Sequence, residues 1–410
     1  MTDTPGAAPR SSSSGVPDVS PPGSIPPRRE PPGPSRTVRR GVAGAVVFAV
    51  LVAVPVLGKV GVDAALRGGG PGEASSNADP TLPGYQAIVA ASPTVLALDI
   101  AVDGRLVAAA LVGGTARQGG GGVLVVPAGL RTGDGPTAPT LGDAFASGGP
   151  TAVASLVSTI LRVDTGPVVR LDDAAWRDVV GAGTSLEIDN PAPLLDDAGT
   201  TVFPAGRIAL GADRIAAYLH QRGPGEDDLE ALYRAELVWT AWLGRGGSSG
   251  TVLGDLVGGL AGAPVTVLTL PATARDEDGR RTYTAVAAEV DEAVALVVPF
   301  PAPPETGGRT RVRLLDGTGE AERSLRIAAE VVPLGVSILV FGNADRFDHD
   351  VDVVEYHRPD AEAAARRIAE RLGVSTVTLL DRPDSAIDVT IVVGSSHVFD
   401  PEVPNASVAR

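Results

Sequence analysis

The residues that could carry chemistry are few, and most carry a plainer reading. Gly246-Gly-Ser248-Ser-Gly250 fits the spacing of a serine nucleophile elbow. An elbow needs a strand before the serine and a helix after it. Here a helix end precedes a Gly/Ser stretch, so the segment reads as a loop. Asp348, Asp350 and Asp352 alternate like the start of a calcium loop. That loop needs Gly at its sixth position and Glu at its twelfth, where this chain has Val353 and Pro359; the reading is a solvated loop and strand edge. His349, His357 and His397 match no metal-ligand spacing, so no metal site is expected. The glycine-rich run Gly113–Gly122 lacks the following helix of a phosphate cradle and reads as a flexible hairpin connection.

Composition removes whole classes of mechanism. The chain has no cysteine, hence no disulfide, thiolate zinc site or cysteine nucleophile. Lys59 is its only lysine, so 33 of the 34 basic residues are arginine, and no lysine is available for a Schiff base or a P-loop beyond that point. The net charge of −15 argues against nucleic acid as a partner, because phosphate neutralisation needs a basic face. Aromatics are only 4% of the residues, so the cores must be built from Val, Leu, Ala and Ile.

The elements that must position any site fall into blocks. Residues 1–40 are rich in Pro, Ser, Gly and Arg with almost nothing to bury, too polar to offset their ordering entropy, and are expected to be a disordered cytoplasmic tail. Residues 41–58 are uncharged, with Gly41, Val46, Phe48, Leu51 and Leu57 along a span of the length that crosses a hydrocarbon core. Five arginines from Arg28 to Arg40 precede it, against Lys59 and Arg67 after it, which places the N-terminus inside and the rest of the chain outside the cell membrane. A cleaved signal peptide, ending near Val62-Asp63-Ala64, is the competing reading. A Gly/Pro/Ser linker is expected at 59–84, a mixed α/β (α+β) region at 85–300, a proline-rich linker at 301–309 and a small α/β sandwich at 310–398.

Within the larger region, 94–102 and 105–112 read as a hairpin about Asp103-Gly104, and 121–127 as a third strand. Helices are expected at 139–147, 150–162, 211–222 and 226–243, with a strand at 168–171 running into a helix through Trp176. Segments 264–270 and 281–299 are expected to pair as strands about Asp278-Gly279. In the smaller region the order is strand 310–315, helix 320–331, strand 336–341, strand 351–356, helix 360–372, and strands 375–380 and 387–393.

The C-terminal segment resembles the LytR C-terminal domain. The matching blocks are Val312-Arg-Leu-Leu-Asp-Gly-Thr-Gly319, Phe341-Gly-Asn-Ala-Asp-Arg-Phe-Asp348, Val351–Tyr356, Ala361–Gly373 and Val389-Thr-Ile-Val-Val-Gly394, in the family's order over about 85 residues. The larger region resembles, more distantly, the LytR–CpsA–Psr catalytic domain. There the blocks are Val125-Val-Pro127, Gly148-Gly-Pro150, Val168–Trp176, Arg214-Ile-Ala-Ala-Tyr-Leu-His-Gln-Arg222 and Asp228–Trp239. The resemblance implies a membrane-anchored, extracytoplasmic protein of the bacterial cell envelope. Members of that family move a glycopolymer from a polyprenyl pyrophosphate carrier to peptidoglycan, usually with magnesium.

The departures bear on activity. Where the family's strand ends in Pro-Arg-Asp, this chain has Pro127-Ala128-Gly129, and the family's Asp-Thr pair after the first hairpin turn has no counterpart at Arg105–Ala109. His220 takes the place of one arginine and Ala231 of another, leaving Arg222, Arg234 and Asp228 as the ligand-binding candidates. A pyrophosphate needs several guanidinium forks, and phosphoryl transfer rests on that positioning and neutralisation. The expectation is therefore a degenerate, non-catalytic relative acting in binding or regulation, with no catalytic residue assigned. It needs no cofactor, magnesium entering only if transfer is retained. Its partners would be the membrane, wall polymer, a polyprenyl-linked lipid or another envelope protein. The alternative is an active phosphotransferase whose arginines, Arg105, Arg131 or Arg207 among them, converge with Arg222 and Arg234 on an apolar channel. A transcription-attenuator role is a third reading, opposed by the membrane helix and the acidic charge.

Overall fold

A computed structural model of the chain describes residues 77–399 apart from 134, 136, 197, 224, 225, 227, 248, 249, 278, 279, 306 and 381–383. The expected tail and the membrane span with Gly41, Val46, Phe48, Leu51 and Leu57 lie outside the described residues. So do Ser248 and the Asp278-Gly279 turn.

The first sheet comes from strands apolar on both faces, as strands covered on both sides must be. They are β2 (Thr94–Ile100), β3 (Leu106–Thr115), β4 (Gly120–Pro127), β5 (Val168–Leu171) and β10 (Val265–Thr269), in the order β10-β4-β3-β2-β5. The β2–β3–β4 meander is antiparallel, while β5 and β10 join its edges in parallel. Gly113–Gly122 is no flexible connection: the strands run through it and leave only a short turn at Ala116–Gln118. Its glycines allow close approach, since a Cβ on Gly122 would lie 1.8 Å from the Thr266 carbonyl oxygen of β10.

Side-chain alternation sorts two cores. Val95, Ala97, Val123, Val125 and Leu171 face one side, covered by α2 (Asp173–Val180), α3 (Ile215–His220), α4 (Asp228–Arg245) and α5 (Val252–Gly259). Leu96, Leu98, Leu111, Leu124 and Val126 face the other, under α1 (Leu141–Leu161) and α6 (Ala287–Val297). All three tryptophans, Trp176, Trp239 and Trp242, cluster in the first core with centroids 5.3–6.0 Å apart.

Helix α1 joins the two helices expected at 139–147 and 150–162, with a break at Gly149 (φ 66°) before Pro150. Thr140 and Asp143 close a capping box at its start. Among the described residues it is the one helix long and apolar enough, by length and composition, to cross a membrane. Here Leu141, Val153, Val157 and Leu161 pack on the sheet.

The strand pairing expected between 264–270 and 281–299 is not formed. β10 pairs with β4, and 281–299 divides between β12 (Arg280–Ala285), paired with β11 (Ala272–Glu277), and the helix α6. Val290, Ala293, Val294 and Val297 recur at helical spacing and are buried, and that period outweighs the β-branched content. The segment 185–211, read as no particular element, forms β6 (Ser185–Asn190), β7 (Leu194–Leu195), β8 (Thr201–Phe203) and β9 (Gly206–Gly211), with β6 antiparallel to β9. Helix α5 forms despite its glycines because the Thr251 hydroxyl accepts the Gly254 N–H at 3.0 Å and Leu253 and Val257 are buried.

The second sheet uses β13 (Thr310–Asp316), β14 (Val336–Asn343), β15 (Val353–Tyr356), β16 (Val377–Leu379) and β17 (Val389–Val393), with α7 (Ala321–Val331) and α8 (Glu362–Leu372). The sheet order is β1-β14-β13-β17-β15-β16. Its first strand, β1 (Gln86–Ile88), comes from the start of the described chain and runs antiparallel to β14. Asn343 fastens it, donating to the Pro80 and Leu82 carbonyls at 2.9 and 2.8 Å.

Candidate functional site

Two polar clusters of the first region lie where β2 and β10 end, on the tryptophan side of the sheet. Asp99 follows Val95 and Ala97 on that face, and the β2–β3 register shifts at Asp99/Ile100. Such an irregularity re-aims a side chain at a strand end. Asp99 Oδ1 accepts from Trp176 Nε1 at 3.2 Å and lies 3.1 Å from His220 Nε2. On the same face of β10, the Thr269 hydroxyl donates to Glu236 Oε1 of α4 at 2.6 Å. Burial raises the Glu236 carboxyl, and the Thr269 bond opposes that only partly.

Arg234, two residues from Glu236, is 2% exposed. Its Nη1 forms an ion pair with Glu226, its Nη2 donates to the Gln221 carbonyl at 2.5 Å, and its guanidinium lies 5.6 Å from the Tyr218 ring centre. Burial pushes its pKa down to about 10, with a smaller push from Arg222, so the group stays charged at neutral pH. Tyr218, raised to about 12 by burial, donates to Asn190 Oδ1 at 3.0 Å. Arg234 thus pins the end of α3 and the following loop to α4.

Of the other candidates, Arg222 stands near enough for its charge to reach Arg234, while Arg105, Arg131 and Arg207 hold partners of their own. Arg222 is exposed, and the side chain of Asp228 lies outside the described residues. Arg105 and Arg207, each 80% exposed, pair with Asp103 at 2.6 Å and Glu187 at 3.1 Å. Arg131 donates to the Thr282 hydroxyl at 3.3 Å and the Ala138 carbonyl at 3.0 Å. At Gly129, where the resemblance would place an aspartate, a Cβ would sit 3.2 Å from the Arg281 carbonyl oxygen and from the Tyr283 ring. Ala231 is buried in α4.

The magnesium implied by the resemblance would need one or two carboxylates together with the phosphates of its ligand. Asp99 Oδ1 is occupied by Trp176 and His220, and among the described residues no three His, Cys, Asp or Glu side chains are arranged to hold a metal. Sequence reasoning missed Asp99, Trp176, Glu226 and Glu236. One signal was available: Asp99 is the lone charge in the apolar strand Thr94-Val-Leu-Ala-Leu-Asp-Ile100.

In the second region the expected aspartate and histidine residues scatter among separate partners. His357 bonds the Thr390 hydroxyl at 2.9 Å, and His349 lies 3.7 Å from Asp345. The third, His397, has its side chain 3% exposed between Asp352, which it contacts through Nδ1, and Glu330, 3.9 Å from Nε2. Burial opposes its charge, yet the two carboxylates prevail and hold its pKa at about 9. Asp352 also accepts the Gly394 N–H at 2.7 Å, so it closes the segment after β17 onto the sheet instead of serving a calcium loop. Arg323 donates to the Ser395 and His397 carbonyls at 2.7 and 3.1 Å, and Arg326 lies 3.7 Å over the Phe399 ring.

The fold is mixed α/β, and its C-terminal part is similar to a known family. Residues 309–397 match the family model described as LytR cell envelope-related transcriptional attenuator. No curated protein matches the chain. Among solved structures, Bacillus subtilis TagV is similar at 14% identity over 50% of this chain and 96% of that one, with a TM-score of 0.41. B. subtilis TagT is similar at 17% identity over 50% and 91%, with a TM-score of 0.37. The LytR-CPS2A-psr family protein YwtF (TagT) with bound octaprenyl pyrophosphate lipid is similar at 19% identity over 50% and 88%, with a TM-score of 0.38.

Proposed function

We propose that this chain is a membrane-anchored, extracytoplasmic protein of the bacterial cell envelope that binds a lipid-linked or wall polymer, or an envelope partner, without transferring it. The observation that carries this reading is the commitment of Arg234. The buried guanidinium of the candidate site is held by Glu226 and the Gln221 carbonyl. A diphosphate would have to displace an internal carboxylate to reach it. The displaced Glu226 carboxylate would then be left without its cation, which disfavours the exchange. Asp99, turned toward the same face, adds negative charge where a diphosphate would need positive.

The anchor is the uncharged span 41–58 with its flanking arginines, and the export direction follows from that charge asymmetry. The domain organisation proposed with it is 85–300 for the larger region and 310–398 for the smaller, on the sequence resemblance.

The test uses the full chain in detergent with magnesium, a polyprenyl pyrophosphate-linked glycan and a peptidoglycan acceptor. The expected result is saturable binding of the glycan lipid with no release of polyprenyl phosphate. Turnover that is abolished in Arg222→Ala would overturn the reading in favour of an active transferase.

A further inference from the structure

We propose that the cavity between the end of α1, the start of α6 and the helix α8 is a binding site for a phosphate-type oxyanion, clamped between Arg162 and Arg367. This site is separate from the Asp99 end of the first sheet, and the inference does not rest on the function proposed above.

The cavity, of about 660 Å³, is lined by Arg162, Arg367 and Asp291 together with the apolar Ile160, Val290 and Leu334. Asp291 is already shared: one oxygen takes Arg162 and the other Arg309, at 3.3 Å. Arg309 is fully buried and also donates to the Val332 and Val336 carbonyls. Two guanidiniums on one carboxylate leave a net positive charge, and Arg367 adds another at the cavity wall. Among the described residues no carboxylate stands within ion-pair distance of Arg367. Burial, and next the charge of Arg367, lower the pKa of Arg162, the mark of two cations facing one space. In a chain with a net charge of −15, such a concentration is local and runs against the general balance.

The backbone is bent to make this arrangement. Arg162 is, among the described residues, the one non-glycine with positive φ (54°), at the C-cap of α1, where glycine is the usual occupant. Residues held in that region persist only where their surroundings fix them, and they concentrate at binding sites. Gly335 leaves the room: a Cβ there would come within 2.9 Å of Asp291 Oδ2 and 3.3 Å of Arg162 Nη2. Guanidinium forks match tetrahedral oxyanions, and the apolar wall accepts a carbon substituent beside the anion.

The experiment follows the thermal unfolding of the full chain in detergent during titration with sodium phosphate, against sodium chloride at equal ionic strength. A parallel titration uses a short-chain phosphatidic acid, against the matching phosphatidylcholine. The expected result is a phosphate-dependent rise in the unfolding midpoint, with half-saturation shifted about tenfold or more in Arg367→Gln. Arg366→Gln, which removes a guanidinium paired with Glu362, should leave the titration unchanged. An Arg367-dependent rise with the phosphatidic acid alone assigns the site to a lipid headgroup and supports the proposal. The proposal is overturned if neither probe raises the midpoint above its control, or if the rise survives Arg367→Gln.

Discussion

The two sheet regions bury charge to different ends. In the first, the buried charges join helices to one another: Arg234 of α4 holds Glu226 and the loop after α3, and Asp99 holds Trp176 and His220. In the second, they fasten segments that flank strands: Asp352 and Glu330 hold His397 after β17, and Asp388 holds Arg311 and Arg358, each at 2.8 Å. Both regions offer polar side chains at the end of a sheet, but the first spends them inside the fold, between its helices and strands.

The comparison breaks first at Arg234. Arg234→Met leaves the Glu226 carboxylate with only the Gly223 N–H, at 2.7 Å, and no cation, and should cost about 3–5 kcal/mol in urea unfolding. A neutral outcome would return Arg234 to the pool of ligand-binding groups.

His397 gives the second region's counterpart. Its folded pKa of about 9 lies above the unfolded value of 6.5, so its stabilisation is full below pH 6.5 and is lost as pH rises through 9. The wild type should lose up to about 3 kcal/mol across that window, and His397→Gln should start lower and show a flatter profile. Equal slopes for the two proteins would remove His397 as the fastening.

The strand exchange between regions is tested by Gly342→Val. A Cβ there meets the Tyr85 carbonyl oxygen at 2.1 Å, so β1 must leave β14 at a cost of about 1–3 kcal/mol. Hydrogen exchange should rise at Asn343 and Val89, whose N–H groups donate to the Tyr85 and Leu339 carbonyls. Protection unchanged at both amides would contradict the pairing. The smallest effect is expected for Arg222→Ala, under about 0.5 kcal/mol as for other exposed sites; a larger loss in the same unfolding assay would give Arg222 the structural role assigned to Arg234.

Legibility followed the range of the determining interaction. The C-terminal elements were readable because each has its own period and its own turn, such as Asp316 accepting the Thr318 N–H at 2.8 Å. In the first region the hairpin about Asp103-Gly104 and the helix start at Thr140 were readable for the same reason. The segment 185–211 was not, because its strands are short and pair across an intervening loop. Helix α6 was misread because its valines fit a strand until burial decides the period.

From the sequence alone came the absence of thiol and lysine chemistry, the uncharged span at 41–58, the apolar strands and the C-terminal order. All of these depend on composition or on neighbours a few residues apart. Only the tertiary structure decided that His220 meets Asp99 across 121 residues, that Arg234 is consumed by Glu226, and that β1 completes the distant sheet. It alone set Arg162 against Asp291 and Arg367. A charge is visible in a sequence, but its partner is chosen by the path of the chain, and the partner determines what the charge can do.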